Sequence, residues 1–214
     1  MIRNNKIKFI ISSIVIVLPI LFGVIFWNKL PDVMTTHWGM NGEADGFSSK
    51  TFAVFFMPLI LLAIHVLCLL LSGFDRSNAG QNKKALSLVF FMCPAISLIT
   101  NALTYSAALS YNFDPSAFLA VFMGAMFIVI GNYMPKCKQN RTLGIKIPTT
   151  LKSEANWNAT HRFAGKLWFF GGFAMLLFTF LPKKLLFAFV FAGIFIMVIV
   201  PIVYSIIFHI KERD

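Results

Sequence analysis

The sequence predicts an all-α, polytopic membrane protein with six transmembrane helices and cytoplasmic N- and C-termini. Three observations carry this expectation. The first is composition: of 214 residues, 58% are apolar and only 13% charged, with a mean hydropathy of +0.77. Soluble domains run near half apolar and about a quarter charged. The second is segregation. Six runs, Phe9–Trp27, Phe52–Leu71, Leu86–Leu109, Ala117–Tyr133, Leu167–Leu181 and Leu185–Phe208, cover 119 residues without one Asp, Glu, Lys or Arg. A charge at the bilayer centre costs roughly 2.5–3.5 kcal/mol on insertion scales, so lipid imposes this pattern. The third is asymmetry. With the N-terminus inside, inner segments hold 15 of the 19 Lys and Arg residues and outer loops hold 4, as the positive-inside rule requires.

The first run has a basic start (Arg3, Lys6, Lys8) but no small-x-small cleavage pattern, so an uncleaved anchor is expected. Pro19, Pro58, Pro94 and Pro201 interrupt four runs and are expected to kink them. In the second run His65 places an imidazole at membrane depth, read either as a neutral hydrogen-bonded side chain or as a functional group. In the third, Ser97, Asn101 and Thr104 share a helix face that should turn toward neighbouring helices. The fifth run spans only 15 residues, roughly 22 Å of helix. Its helix should start earlier, near Phe163, with Lys166 snorkelling to the headgroups.

Several classes are excluded. High hydrophobicity rules out disorder. The net charge of +11 follows from the basic inner segments, so no direct nucleic-acid contact is expected. The absence of acidic or basic residues within the runs weakens an ion-coupled transporter. Cys68, Cys93 and Cys137 give neither a disulfide framework nor a zinc spacing. No metal, cofactor or catalytic motif is expected.

The chain reads as a single membrane domain over 1–214 with two long loops, and long loops usually carry function. The ordered extracellular loop, 28–51, contains the turn dipeptides Asn41-Gly42 and Asp45-Gly46, which suit a small hairpin cap. His37 and Trp38 sit at its middle. They read as a solvated His beside an interfacial anchor, as an extracellular ligand patch with Asn41 and Asp45, or as part of a metal site with Glu43 and Asp45. The basic cytoplasmic loop, 134–166, carries seven positive charges and one negative. Ser153 is a good N-cap and Glu154 suits a helix start. Glu154, Asn158, Arg162 and Lys166 then fall on one face, and Trp157, His161, Ala164 and Trp168 on another. This amphipathic helix is expected to lie in the inner headgroup plane and turn into the fifth span. It could attract anionic lipids, dock a cytoplasmic protein, or pair Glu154 with His161 for catalysis.

These loops resemble the SdpI-like immunity membrane proteins of Gram-positive bacteria. The run LPDVMTTHWGMNGEADGFSSK resembles the small domain of unknown function at the start of many such proteins. The run GNYMPKCKQNRTLGIKIPTTLKSEANWNATHRFAGKLW resembles the family's most recognisable stretch. The matched positions are Gly131, Asn132, Pro135, Asn140, Gly144, Pro148, Thr150, Leu151, Glu154, Trp157, His161, Arg162 and Gly165. One departure is Lys146-Ile147-Pro148-Thr149-Thr150, where Arg-Thr-Pro-Trp-Thr is more usual. The resemblance implies a multi-pass cell-membrane protein that protects its cell from a secreted peptide toxin. It further implies sensing of the toxin by holding a cytoplasmic repressor at the membrane. Asn140, Lys146, Glu154, Trp157, His161 and Arg162 are then the expected docking residues for that partner. A membrane-interface enzyme acting on lipid or peptide, and a small transporter, are the alternatives.

Overall fold

A computed structural model describes residues 2, 5–39, 42–75, 78, 80–111 and 114–212, with the side chains of 183 and 184 left aside. Its elements run α1 (Lys6–Ile25), β1 (Val33–Trp38), β2 (Ala44–Ser49), α2 (Met57–Phe74), α3 (Lys83–Ala108), α4 (Pro115–Tyr133), the short α5 (Pro148–Lys152), α6 (Glu154–Phe178) and α7 (Lys183–Lys211). A π-helical turn, Phe52–Phe56, leads into α2. Among the described residues, five helical segments are long and apolar enough to cross a membrane: Lys6–Ile25, Phe52–Phe74, Lys83–Ala108, Pro115–Lys136 and Leu185–Lys211. The sixth long helix, α6, has the length but begins with the charged residues Glu154, Arg162 and Lys166.

The packing pattern is inverted relative to a soluble protein. In α1 the buried residues are Ser12, Ile16, Pro19 and Gly23, while Ile7 is 74% exposed and Ile10, Ile14 and Leu21 are all more than half exposed. Small and polar side chains face inward, where close backbone approach is useful, and large aliphatics face outward. Apolar surface on this scale does not persist in water. The chain is a multi-pass membrane protein.

Contacts divide the chain into two compact units: Met1–Phe74 with Ser87–Pro115, and Asp75–Leu86 with Ser116–Asp214. In the first unit, polar side chains tie α3 to α1. Ser97 Oγ donates to the Ile16 carbonyl at 2.8 Å and Tyr105 Oη to the Pro19 carbonyl at 2.9 Å. His65 Nε2 and Ser12 Oγ share a hydrogen bond of 2.8 Å between α2 and α1. Ser97, Asn101 and Thr104 are all buried, as their common face predicts. β1 and β2 form an antiparallel hairpin with Thr35 opposite Phe47 and irregularities on either side of His37. The hairpin is anchored by Leu30 and Met34, which pack with Ala53, Val54 and Tyr105.

In the second unit, α4 and α6 approach through glycines spaced seven apart. A Cβ on Gly124 would meet the Gly172 carbonyl at 2.8 Å, and one on Gly131 would meet the Gly165 carbonyl at 2.8 Å. Against α7, Phe163 stacks on Tyr204 with centroids 4.6 Å apart, and Phe127, Met175 and Met197 form a core. Helix α6 corrects one expectation. Glu154 to Phe178 is a single helix, not an interfacial helix that turns into a separate span. Ser153 caps it through Asn156 N–H. No proline follows to break it, and Gly165 and Gly172 sit where close packing holds the backbone helical.

Candidate functional site

The densest cluster of buried polar groups in the second unit surrounds the first turns of α6. Trp157 is fully buried. Its indole N–H donates to the Cys137 carbonyl at 2.8 Å. One turn later, His161 stacks on it with ring centroids 3.9 Å apart. His161 Nε2 accepts from the Ile145 N–H at 2.9 Å. Nε2 therefore carries no proton, and the proton sits on Nδ1, which donates to the Trp157 carbonyl at 2.8 Å. Both ring nitrogens are occupied and the ring is neutral. Burial pushes its pKa down to about 4, opposed by the hydrogen bond to Trp157.

The segment between α4 and α5 wraps this aromatic pair. Asn140 organises it: Oδ1 accepts from Thr142 N–H at 2.8 Å and Leu143 N–H at 2.6 Å, while Nδ2 donates to the carbonyls of Lys138 and Leu143. Such side-chain bonds to nearby backbone fold a short loop without a helix or strand. Gly144 follows with φ +98°, and a Cβ there would run into His161 Nε2. Only glycine serves both the left-handed conformation and the close contact. Thr150 closes the segment by accepting from Ile147 N–H at 3.1 Å and donating to the Ile145 carbonyl at 2.8 Å.

Two further sets of bonds brace the site. Gln81 bonds reciprocally to Lys138, accepting from its N–H at 3.0 Å and donating to its carbonyl at 2.5 Å. Asp75 accepts from Arg141 N–H and Thr142 Oγ1. On the other side, Ser205 Oγ and Thr160 Oγ1 both donate to Asn156 Oδ1, at 2.7 and 2.9 Å. Asn156 Nδ2 returns a bond to the Ser205 carbonyl. Since the Ser205 proton is used, Thr149 donates to Ser205 Oγ at 2.6 Å. Thr149 stands where the resembled run more usually has Trp.

The six residues expected to dock a cytoplasmic partner therefore separate. Asn140, Trp157 and His161 are buried, whereas Lys146, Glu154 and Arg162 are exposed. The sequence reading missed Gln81, Asn156, Thr160 and Ser205. The i, i+4 polar pair Asn156/Thr160 was the available signal, while Gln81 and Ser205 gave none, since their partners are remote in sequence.

In the hairpin, His37 Nδ1 and Asp45 Oδ1 lie 2.5 Å apart across the strands, with their side chains 72% and 51% exposed. Gly46 permits the crossing, since a Cβ there would meet His37 Cβ at 2.6 Å. Trp38 is half-buried and pairs with Ala44. Asn41 lies outside the described residues. Among the described residues, no three His, Cys, Asp or Glu side chains are placed to hold a metal ion.

Residues 136–205 match the SdpI/YfhL protein family. The match defines an SdpI/YfhL-like segment. It contains the whole buried site of the second unit from Cys137 to Ser205, so the resemblance read from the loops rests on a folded unit. Residues 14–62 match the Domain of unknown function DUF1648, a stretch that holds most of α1, the hairpin and the start of α2. The chain is also 28% identical over 173 residues to "Immunity protein SdpI" of Bacillus subtilis (strain 168), covering 81% of this chain and 82% of that protein. No solved structure matches. Within the SdpI/YfhL segment, the matched positions acquire physical reasons: Asn140 shapes the loop, Gly144 clears His161, Thr150 caps α5, and Gly165 admits the Gly131 backbone.

Proposed function

We propose that this chain is a membrane immunity protein that protects its cell from a secreted peptide toxin. The observation that carries the reading is the similarity to Immunity protein SdpI, which extends across both units rather than over one motif. In this reading six helices cross the bilayer, α6 included, and both termini face the cytoplasm. The 15:4 distribution of Lys and Arg supports that orientation. The extracellular loop, with His37, Trp38, Asn41 and Asp45, then faces the toxin side, and the stretch from Cys137 to Arg162 at the start of the SdpI/YfhL segment faces the cytoplasm. Toxin binding favours one of two helix arrangements through its differential affinity for them. The cytoplasmic surface of Lys146, Glu154 and Arg162, held on the Trp157–His161 platform, then recruits a repressor protein. Neighbouring anionic lipids hold the basic surface at the membrane. The occupied nitrogens of His161 disfavour the membrane-interface enzyme.

The test is survival. A deletion strain exposed to the supernatant of a toxin-secreting culture should lose viability, and the plasmid-borne gene should restore it. Equal survival of deletion and parent strains contradicts protection. Relocation of the repressor that is lost in Arg162→Glu while protection persists supports the signalling arm; unchanged relocation contradicts it.

A further inference from the structure

The first unit holds a feature that the immunity reading does not use. A cavity of about 520 Å³ lies between α1 and α3, both within that unit. Its walls are two stripes at helical spacing. Leu18, Phe22 and Ile25 line it from α1, and Leu98 and Tyr105 from α3, with Leu109 just past its end. Leu18, Ile25 and Leu98 are more than 40% exposed, so no described helix of that unit covers them. The stripes run two to three helical turns, the length over which a third helix seats its i, i+3, i+4 and i+7 side chains in a groove.

One polar residue in that wall is incompletely satisfied. Asn101 lines the cavity and is 1% exposed. Its Nδ2 donates to the Ser97 carbonyl at 2.8 Å, which fixes the orientation of the amide. Oδ1 is then a buried acceptor with no donor. At membrane depth no water offsets such a loss, and the cost is high. Tyr105 cannot supply the bond, because its hydroxyl is committed to the Pro19 carbonyl. The complement of this wall is an apolar body carrying one N–H or O–H. Asn101 lies seven residues before the end of α3 at Ala108, roughly 10 Å along the helix. Acyl chains have no donor, and headgroup donors sit at the interface. A helical peptide can carry a hydroxyl or amide to that depth.

We propose that the trough between α1 and α3 seats a membrane-inserted hydrophobic helical peptide that places one hydroxyl or amide donor on Asn101 Oδ1. Identifying that peptide with the toxin rests on the immunity reading; the geometry of the seat does not.

The experiment uses the full chain in phosphatidylcholine vesicles, with a photo-crosslinking benzoylphenylalanine at Phe22. The probes are 20-residue Leu/Ala helices bearing a single Ser at the centre or one turn to either side, and their Ser-free parent. One Ser peptide should crosslink about fivefold more than the parent, the order that one buried interhelical hydrogen bond confers. Asn101→Ala should remove that preference and leave the parent's yield unchanged. Leu98→Trp, which keeps Asn101 and fills the trough, should abolish crosslinking of every probe. Equal yields for all peptides overturn the proposal. So does labelling of lipid or of a second copy of the chain that no peptide displaces. Such a result leaves the survival assay untouched, and lost protection with intact peptide binding would fail the immunity reading alone.

Discussion

Trp157 lies nearly flat on His161, ring planes 18° apart and centroids separated by 3.9 Å. Through Trp157 one turn of α6 holds the Cys137 carbonyl, and through His161 it holds the Ile145 N–H. Two points of one irregular segment are thereby pinned to a single rigid element. Truncating Trp157 to Ala should cost about 3–5 kcal/mol, the range for a buried large aromatic. Arg162→Ala, at an exposed position, should stay within about 0.5 kcal/mol. Thermal unfolding in detergent separates the two, and similar losses for both would refute the division into platform and contact residues.

Gly144 should tolerate no side chain. Gly144→Ala places a Cβ against His161 and demands a left-handed conformation from alanine, with an expected cost of about 1–3 kcal/mol. Gly80 supplies the control. A Cβ there meets nothing closer than Lys138 Nζ at 3.9 Å, so Gly80→Ala should be nearly neutral. Equal melting temperatures for the two variants would count against the close contact.

The neutral state of His161 makes stability depend on pH. Burial holds its folded pKa near 4, below the ordinary 6.5 or so. Between those values the unfolded chain binds a proton that the folded chain excludes. The contribution is therefore present in full above about pH 6.5 and is lost as pH falls toward 4, to a total on the order of 3 kcal/mol. Melting temperature should drop across that window in the native protein. The drop should shrink in His161→Gln, which has no imidazole to titrate. An identical pH profile for the two would remove His161 from the account.

Pro201 gives α7 a carbonyl without a helical partner, that of Met197, four residues earlier. Trp168 Nε1 donates to that carbonyl at 2.7 Å. Trp168→Phe should cost about 1 kcal/mol by this bond, beyond any change in packing. In a Pro201→Ala background the restored backbone N–H should take over the carbonyl, and the cost of Trp168→Phe should fall. Strict additivity in this double-mutant cycle, followed by chemical denaturation, would show that the two do not share the carbonyl.

The sequence made the membrane helices legible because lipid excludes charge, and the uncharged runs coincide with most of α1, α2, α3, α4 and α7. It left α6 less clear. The helix keeps Glu154, Arg162 and Lys166 on its surface and goes straight on into apolar residues, so composition suggests a break that the backbone does not make. Local chemistry was legible too, in the Ser153 cap and in the loop-forming Asn140. Contacts between remote positions were not. Nothing in the local pattern around Gln81 indicates that it pairs with Lys138, or that Ser205 closes on Asn156 and Thr149. The hairpin falls between these cases: of the two expected turn dipeptides, Asp45-Gly46 lies instead inside β2 with Gly46 opposite His37, while Gly42 takes a positive φ, and the structure adds that His37 meets Asp45 across the strands.

The account requires that the hairpin and the loop around Lys146 reach opposite aqueous sides, since a signal from one must cross the bilayer to the other. Paired reporter fusions at Gly39 and Lys146, alkaline phosphatase active outside and a fluorescent protein folding inside, measure this directly. The predicted result is phosphatase activity only at Gly39 and fluorescence only at Lys146. The same reporter active at both positions would contradict it.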